Sequence, residues 1–188
     1  MLHRDLKPSN ILLDEEGQPH VTDFGLARLT EQNSDLTQSG AVMGTPSYMA
    51  PEQATGKTKQ ITTATDVWAL GVVLYELLTG SRPFQAGSAI EILRLVLDQE
   101  PSAPCQLTAL GDRDLEIICL KCLEKDSSRR YAAAEALAKD LERWLDGEPI
   151  IARSCTLVER TVKWVRRRPD PVLRVACLPK RRRRQVLE

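Results

Sequence analysis

The chain has 188 residues, of which 42% are hydrophobic, and it carries equal numbers of basic and acidic residues. This length and composition are those of one globular domain with a hydrophobic core. No apolar run reaches the ~20 residues that a membrane-spanning helix needs. No signal-peptide pattern opens the sequence, since charged residues begin within its first five positions. We therefore expect a cytoplasmic protein, without an export signal or a membrane span.

The net charge of zero hides an asymmetry along the chain. Residues 1–159 hold 15 basic and 24 acidic residues, whereas residues 160–188 hold 11 and 2. The basic run at 180–184 has no interleaved aromatic residues, which favours a solvated tail over a site for nucleic acid or anionic lipid. We expect this end of the chain to be separate from the acidic body.

In chain order, the first predicted elements are two short strands. The apolar runs at 10–14 and 19–24 are separated by EEGQ, a turn sequence. Residues 26–50 are polar and have no periodicity, which predicts a long functional or mobile loop.

The rest of the pattern is helical. Residues 62–80 are apolar on almost every face, which predicts a buried central helix that ends at Gly80. Amphipathic spacing predicts further helices at 88–99, 112–125 and 131–147, the first with Ser88 as its N-cap, and a short helix at 156–168. The predicted fold class is α+β, mainly α: a short β-hairpin followed by a helical bundle.

The five cysteines are Cys105, Cys119, Cys122, Cys155 and Cys177. An odd number at irregular spacing is not a disulfide framework. Cys119 and Cys122 form a C-x-x-C inside an apolar helical pattern, with no second pair at zinc spacing. We interpret them as buried packing residues rather than as metal ligands or a redox pair.

The chemistry is concentrated in HRDLKPSN, residues 3–10. Asp5 and Asn10 offer a carboxylate and an amide oxygen with Lys7 between them, and Asp23 follows the second predicted strand. Hard oxygen ligands beside an ammonium group suit Mg²⁺ bound to a polyphosphate. The alternative is a turn closed by a salt bridge.

From residue 2 to about 148 the sequence resembles the eukaryotic-type serine/threonine protein kinases of bacteria. The resemblance rests on five blocks in order: HRDLKPSN (3–10), DFG (23–25), GTPSYMAPE (44–52), DVWALGVVLYELLTGSRPF (66–84) and DSSRRY (126–131). It implies the helical C-terminal lobe of a protein kinase domain. Two departures, Arg82 and Ser127, replace residues that are common in the family, and we expect neither to touch the active site.

The resemblance also assigns catalytic roles, with ATP and Mg²⁺ as cofactors. Asp5 would be the base that accepts the proton of the substrate hydroxyl, and Lys7 would neutralise charge on the transferred phosphoryl group. Asn10 and Asp23 would hold the magnesium ions. Thr45 would hydrogen-bond to Asp5 and Lys7 and shape the acceptor site.

Further residues are given regulatory or structural roles by the same resemblance. Arg4 would pair with a phosphate on the activation loop, where Thr37 and Ser39 are the first candidates for phosphorylation. Glu52 and Arg130 would form a buried ion pair, and Asp66 would hold the backbone of the catalytic loop. We interpret the aromatic residues Trp68, Tyr75, Trp144 and Trp164 as packing residues.

A kinase of this family also has an N-terminal lobe, with a Gly-rich loop and a strand lysine that contact ATP. Neither is found in this sequence. We therefore expect the chain by itself to be marginally folded and a poor kinase or none. The alternatives are a catalytically dead kinase-fold module that binds proteins, and a truncated gene product.

The predicted organisation has three parts. Residues 1–148 form the kinase lobe, 149–169 a helical segment like those before a membrane anchor, and 170–188 a basic, disordered tail. The expected partners are protein substrates and a second copy for trans-autophosphorylation, not nucleic acid. A membrane would be reached only through a segment that this sequence lacks.

Overall fold

The computed structural model describes residues 2–24, 45–56, 61–108 and 112–152 of the chain. It is mainly helical with one β-hairpin near its start, which confirms the predicted fold class. The predicted helix at 156–168, the basic tail, and residues 26–44 of the predicted loop lie outside the described residues.

The hairpin pairs strand β1 (Ile11–Leu13) with strand β2 (Pro19–Val21) in antiparallel register, Ile11 opposite Val21. Its turn is closed by Asp14, whose carboxylate accepts hydrogen bonds from two backbone N–H groups of the turn at 3.1 and 2.7 Å. The register places the residue after β2 opposite the residue before β1. The hairpin therefore returns the chain to the loop that precedes it.

A short helix, α1 (Pro51–Ala54), precedes the central helix α2 (Thr63–Thr79). The hydroxyl of Thr62 accepts a hydrogen bond from the N–H of Ala64 at 3.3 Å and caps the start of α2. Gly80 ends the helix in the left-handed conformation, with φ of 72°. Both ends of the central helix agree with the prediction from the sequence.

The other helices are α3 (Ala89–Asp98), α4 (Pro104–Leu107), α5 (Arg113–Cys122) and α6 (Ala134–Leu145). Three of them follow the predicted amphipathic segments, but α1 and α4 were not predicted as separate elements. Four residues beginning with proline are too few to show a helical period. Within the described ranges, no helix combines the length and the apolar composition that crossing a membrane requires.

The core surrounds α2 on two sides, which is why this helix has almost no polar face. Trp68 and Tyr75 face one cluster, and they are buried as predicted. That cluster also contains Ala50, Val72, Phe84, Val96, Cys119 and Leu123. The second cluster contains Val67, Ile118, Cys122, Tyr131, Leu137 and Ile150, with Trp144 packed against it. Helices α3, α5 and α6 each supply buried residues to at least one of these clusters.

Helices α2 and α5 are in close contact at Gly71. A Cβ atom at this position would overlap the Cβ of Cys122, and the thiol of Cys119 donates to the carbonyl of Gly71 at 3.6 Å. Both cysteines are fully buried, and burial raises the pKa of the Cys119 thiol to about 12. The prediction that they are packing residues is confirmed.

The chain after α6 folds back onto the helices. The buried carboxylate of Asp140 accepts hydrogen bonds from the N–H groups of Ile151 and Ala152 at 2.6 and 2.8 Å, and from the hydroxyl of Tyr131 at 2.9 Å. Ile150 is buried in the second cluster. The packed body therefore continues beyond residue 148, where the sequence placed its boundary.

The close contact at Gly71 predicts a specific steric effect. Gly71→Ala should lower the free energy of unfolding by about 1–3 kcal/mol, because α2 and α5 must separate to admit the methyl group. Gly87→Ala is the control, since a Cβ there meets only a carboxylate oxygen of Glu91 at 3.9 Å. Chemical denaturation followed by circular dichroism compares the two. Equal midpoints for both variants would contradict the packing described for α2 and α5.

Candidate active site

Three of the predicted catalytic residues meet in the loop before β1. The ammonium group of Lys7 donates to the carboxylate of Asp5 at 2.7 Å. A 3₁₀ turn at Pro8–Asn10 then brings Asn10 back, and its side-chain amide donates to the carbonyl of Asp5 at 2.8 Å and to its carboxylate at 3.4 Å. The loop thus gathers a carboxylate, an ammonium and an amide around one point.

The orientation of Asn10 has a chemical consequence. Because its NH₂ group points to Asp5, its Oδ1 atom faces the other way. Among the described residues, this oxygen accepts only a long contact, 3.4 Å, from the Ser9 hydroxyl. An amide oxygen with free lone pairs is a suitable ligand for a hard cation. Asn10 therefore links the catalytic loop to a candidate metal position.

The hairpin brings Asp23 to the same region. The N–H of Thr22 donates to the carbonyl of Asn10 at 2.9 Å, so Asp23 follows directly on a residue bonded to the catalytic loop. Asp23 has a positive φ of 62°, an uncommon conformation for a residue with a side chain. Its carboxylate is exposed, and it has no hydrogen bond or ion pair with any residue in the described ranges.

The oxygen atoms of Asn10 and Asp23 fit magnesium. Magnesium keeps few protein ligands, usually one or two carboxylates, and takes its other ligands from water and phosphate oxygens. No group of three or more His, Cys, Asp or Glu residues that could hold a metal occurs in the described part of the chain. One amide oxygen and one carboxylate are ligands of the kind that magnesium accepts when it is shared with a phosphate.

His3, which had no predicted role, holds the loop that contains Asp5. Its Nε2 atom lies 2.7 Å from the carbonyl of Thr22, and its Nδ1 atom accepts from the N–H of Asp5 at 3.3 Å. These two partners are satisfied together by the neutral imidazole with its proton on Nε2. The ring is buried and contacts Phe24 with centroids 4.8 Å apart. His3 therefore joins Asp5 to the segment that carries Asp23.

Asp66, in the first turn of α2, holds the same loop through its backbone. Its two carboxylate oxygens accept hydrogen bonds from the N–H groups of His3 and Arg4 at 2.9 and 2.8 Å. Arg4 has a positive φ of 73°, and these bonds help to keep it in that conformation. Asp5, the predicted base, is the next residue, so its position depends on this contact.

The segment after Thr45 is tied to the loop by Gln53 of α1. Its side-chain amide donates to the carbonyl of Arg4 at 2.8 Å and accepts from the N–H of Ala50 at 3.0 Å. Thr45 itself begins a 3₁₀ turn at Pro46–Tyr48. Within the described residues its hydroxyl forms no hydrogen bond with Asp5 or Lys7, so that predicted contact stays a prediction.

Glu52 and Arg130 form the buried ion pair that the resemblance implied. Two guanidinium nitrogens donate to the two carboxylate oxygens at 2.8 and 2.9 Å, and both side chains are almost fully buried. Thr65 adds a hydrogen bond to Glu52 at 2.7 Å. Burial would raise the pKa of Glu52, but the hydrogen bond and charge of Arg130 more than offset it and hold that pKa below its ordinary value.

Thr37 and Ser39, the candidate phosphorylation sites, lie outside the described residues. The predicted pairing of Arg4 with a phosphate on one of them therefore stays a prediction. Sequence reasoning also missed Gln53 and Thr65. Neither residue belongs to a local sequence motif. Gln53 bonds to Arg4, which is distant in the sequence, and Thr65 bonds to Glu52, which lies in another helix.

Comparison with known proteins agrees with this geometry. Residues 1–141 match the family model described as the protein kinase domain. The chain belongs to the protein kinase family. It is similar to a probable serine/threonine-protein kinase, SCO3848, of Streptomyces coelicolor, with 38% identity over 80% of this chain and 22% of the relative.

Two further relatives have the same kind of name. Serine/threonine-protein kinase PkaA of Streptomyces coelicolor is 41% identical over 84% of this chain and 28% of its own length. Serine/threonine-protein kinase PknB of Mycolicibacterium smegmatis is 37% identical over 86% of this chain and 26% of its own length. The chain thus spans about a quarter of the length of the curated relatives it matches.

The buried ion pair predicts a pH-dependent loss of stability. Glu52→Gln should lower the free energy of unfolding at neutral pH by about 3–5 kcal/mol, because it leaves the Arg130 charge buried without a counter-charge. The folded-state pKa of Glu52 is below the ordinary value of 4.5. The contribution of the pair is therefore present above pH 4.5 and is lost as the pH falls through the folded-state pKa.

Urea denaturation at a series of pH values measures this difference. The gap between wild type and Glu52→Gln should be constant above about pH 6 and shrink in acid. Glu135→Gln is the control, since Glu135 forms a surface pair with Lys139 and its side chain is 77% exposed. A gap that stays constant down to about pH 3 would show that the Glu52 charge is not what stabilises the fold.

Proposed function

We propose that the protein containing this chain is a serine/threonine protein kinase, which transfers the γ-phosphoryl group of ATP to a serine or threonine hydroxyl of a protein. One observation carries the proposal. Asp5, Lys7 and Asn10 are joined by hydrogen bonds in one loop, and the hairpin returns Asp23 to it. Membership of the protein kinase family and the names of the relatives support the same reaction.

In the proposed mechanism, Asp5 orients the acceptor hydroxyl and accepts its proton as the oxygen attacks the γ-phosphorus. The bond between the γ-phosphorus and the bridging oxygen breaks, and ADP leaves with that oxygen. The Asp5 carboxylate is 35% exposed, so a substrate hydroxyl can reach it. The Nζ atom of Lys7 lies 2.7 Å from the Oδ2 atom of Asp5. In this position its positive charge would reduce the repulsion between the nucleophile and the phosphate oxygens. Such catalysis depends mainly on position and charge.

Asn10 and Asp23 would hold magnesium through the amide oxygen and the carboxylate. When bound, the metal would neutralise charge on the phosphates of ATP. The protein's own contribution is to keep these two oxygens in place. Asn10 is held by Asp5, and the segment that leads to Asp23 is held by Asn10 and His3.

We further propose Arg4, Thr37 and Ser39 as a phosphorylation switch, with a second copy of the protein as the phosphorylating enzyme. The proposed substrates are proteins, and the proposed location is the cytoplasm. The proposed kinase lobe ends at residue 148 or, given the buried Ile150, shortly after it. The segments at 149–169 and 170–188 remain predictions from the sequence.

The test is phosphotransfer by the purified protein, in the longest natural form that contains this chain. Asp5→Asn should lower kcat for a protein substrate by about 10²–10⁴-fold with MgATP, because the hydroxyl proton loses its acceptor. The affinity for ATP should change little, since Asp5 is not proposed to contact the phosphates. Asp98→Asn is the control, an exposed carboxylate on α3 whose side chain is 72% exposed.

Two outcomes would contradict the proposal. One is equal turnover by wild type and Asp5→Asn. The other is a wild-type protein that binds partner proteins but neither binds MgATP nor transfers phosphate. That second outcome would favour the catalytically dead binding module instead.

A further inference from the structure

The peptide unit that joins Arg4 to Asp5 is held on both of its sides. Its carbonyl oxygen accepts a hydrogen bond from the side-chain amide of Gln53 at 2.8 Å. Its N–H group donates to the Nδ1 atom of His3 at 3.3 Å. A peptide unit is planar, so bonds on its two opposite edges restrict the rotation of the whole plane. Because Asp5 follows this plane directly, the two bonds also restrict the direction in which its side chain points.

The orientation of the Gln53 amide is determined by its second partner. Its Oε1 atom accepts the backbone N–H of Ala50 at 3.0 Å. An N–H group can only donate, so the oxygen of the amide must face Ala50 and the NH₂ group must face the carbonyl of Arg4. Glutamine supplies both the acceptor and the donor that these partners require, whereas a glutamate of the same shape lacks the donor.

Gln53 also belongs to an element that is firmly attached to the rest of the structure. Helix α1 has only four residues, which is too short for a helix to be stable by itself. The residue before Gln53 is Glu52, which forms the buried ion pair with Arg130. This pair fixes α1 to the helical body. Gln53 therefore connects the loop that contains Asp5 to a part of the protein that is held in place independently.

Arg4 has a backbone conformation that depends on such contacts. Its φ of 73° lies in the left-handed region, which is uncommon for a residue with a side chain. The carboxylate of Asp66 accepts the N–H of Arg4 at 2.8 Å, which fixes the peptide before this residue. It does not fix the rotation of the peptide that follows, which is set by the ψ angle. The bond from Gln53 restrains that rotation, since it holds the carbonyl.

We propose that Gln53 is a positioning residue for the proposed base: it holds the peptide before Asp5 in the orientation that places the carboxylate beside Lys7. The proposal rests on the proposed kinase function and names a residue on which the rate of its chemical step depends. Gln53 acts through the backbone and does not itself take part in phosphoryl transfer. The geometry of the loop therefore depends on the position of α1.

Steady-state phosphotransfer to a serine-containing protein substrate tests this, with the longest natural form of the protein. Gln53→Met keeps the length of the side chain but removes both hydrogen bonds, so kcat should fall about 10–100-fold as the base loses its position. KM for ATP should change by less than about twofold, since no contact with ATP is removed. Gln85→Met is the matched control and should leave kcat unchanged. Gln85 is an exposed glutamine whose amide also donates to a backbone carbonyl, that of Arg82 at 3.1 Å.

A pH profile separates the bond to Arg4 from a general structural role. Gln53→Glu keeps the shape of the side chain and the acceptor for Ala50, but its carboxylate has no donor for the carbonyl of Arg4. At about pH 5.5 roughly 6% of a carboxyl with an ordinary pKa is protonated and again offers an O–H donor. Between about pH 8 and about pH 5.5, the ratio of wild-type to Gln53→Glu kcat should therefore fall about two- to threefold. The ratio for Gln53→Met should stay constant.

Hydrogen exchange tests the contact without any need for activity. Measured by mass spectrometry, exchange of the loop at residues 3–10 should be about tenfold faster in Gln53→Met than in wild type, because the peptide before Asp5 loses one of its two bonds. Exchange of helix α6 should be equal in the two proteins, which shows that the fold is retained.

Three results would overturn the proposal. They are wild-type kcat in Gln53→Met, an equal loss of kcat in Gln53→Met and Gln85→Met, and a deficit of Gln53→Glu that does not change with pH. Transfer by wild type that Gln53→Met leaves unaffected keeps the kinase function and removes this inference. No transfer by wild type, together with faster exchange of the loop in Gln53→Met, removes the kinase function but keeps Gln53 as the contact that positions Asp5.

Discussion

The candidate active site depends on one interaction, the hydrogen bonds from the backbone of His3 and Arg4 to the carboxylate of Asp66. Asp66 is in the first turn of α2, the helix that both core clusters surround. A backbone N–H bonded to a charged acceptor is held more firmly than one bonded to a neutral acceptor. The helix at the centre of the core thus fixes a loop that consists mainly of polar residues, and the positive φ of Arg4 is kept by this contact rather than by local preference.

The ion pair of Glu52 and Arg130 holds the segment that follows Thr45 in place in a similar way. It connects α1 to the residues between α5 and α6, and the guanidinium group also donates to the carbonyls of Ala64 and Glu124 at 2.9 and 2.7 Å. Each charge is satisfied by several partners, which is the condition under which a buried pair is tolerated. Burial also lowers the pKa of the nearby Lys125 to about 8, and the ammonium group of this residue lies over the ring of Phe84.

The parts that the sequence predicted well are those with local causes. The period of the apolar residues located α2, α3, α5 and α6, and turn residues located the hairpin, because both signals lie within a few neighbouring positions. Asp5, Lys7 and Asn10 stand so close in the chain that one turn brings them together. The contacts that were missed join residues far apart: Gln53 to Arg4, Arg82 to Ser47 and the chain after α6 to Asp140. No periodicity or motif predicts them, since they depend on how the helices pack.

Helix α2 also holds two separate parts of the candidate site. Asp66 near its start holds the catalytic loop, while Glu76 near its end bonds to Tyr48 in the turn beside Arg82. These two acids are ten residues apart on one rigid helix, about 15 Å along its axis. The helix keeps the loop that contains Asp5 and the turn that contains Tyr48 at a fixed separation. Because each is held by its own carboxylate contact, a change in the turn need not disturb the loop.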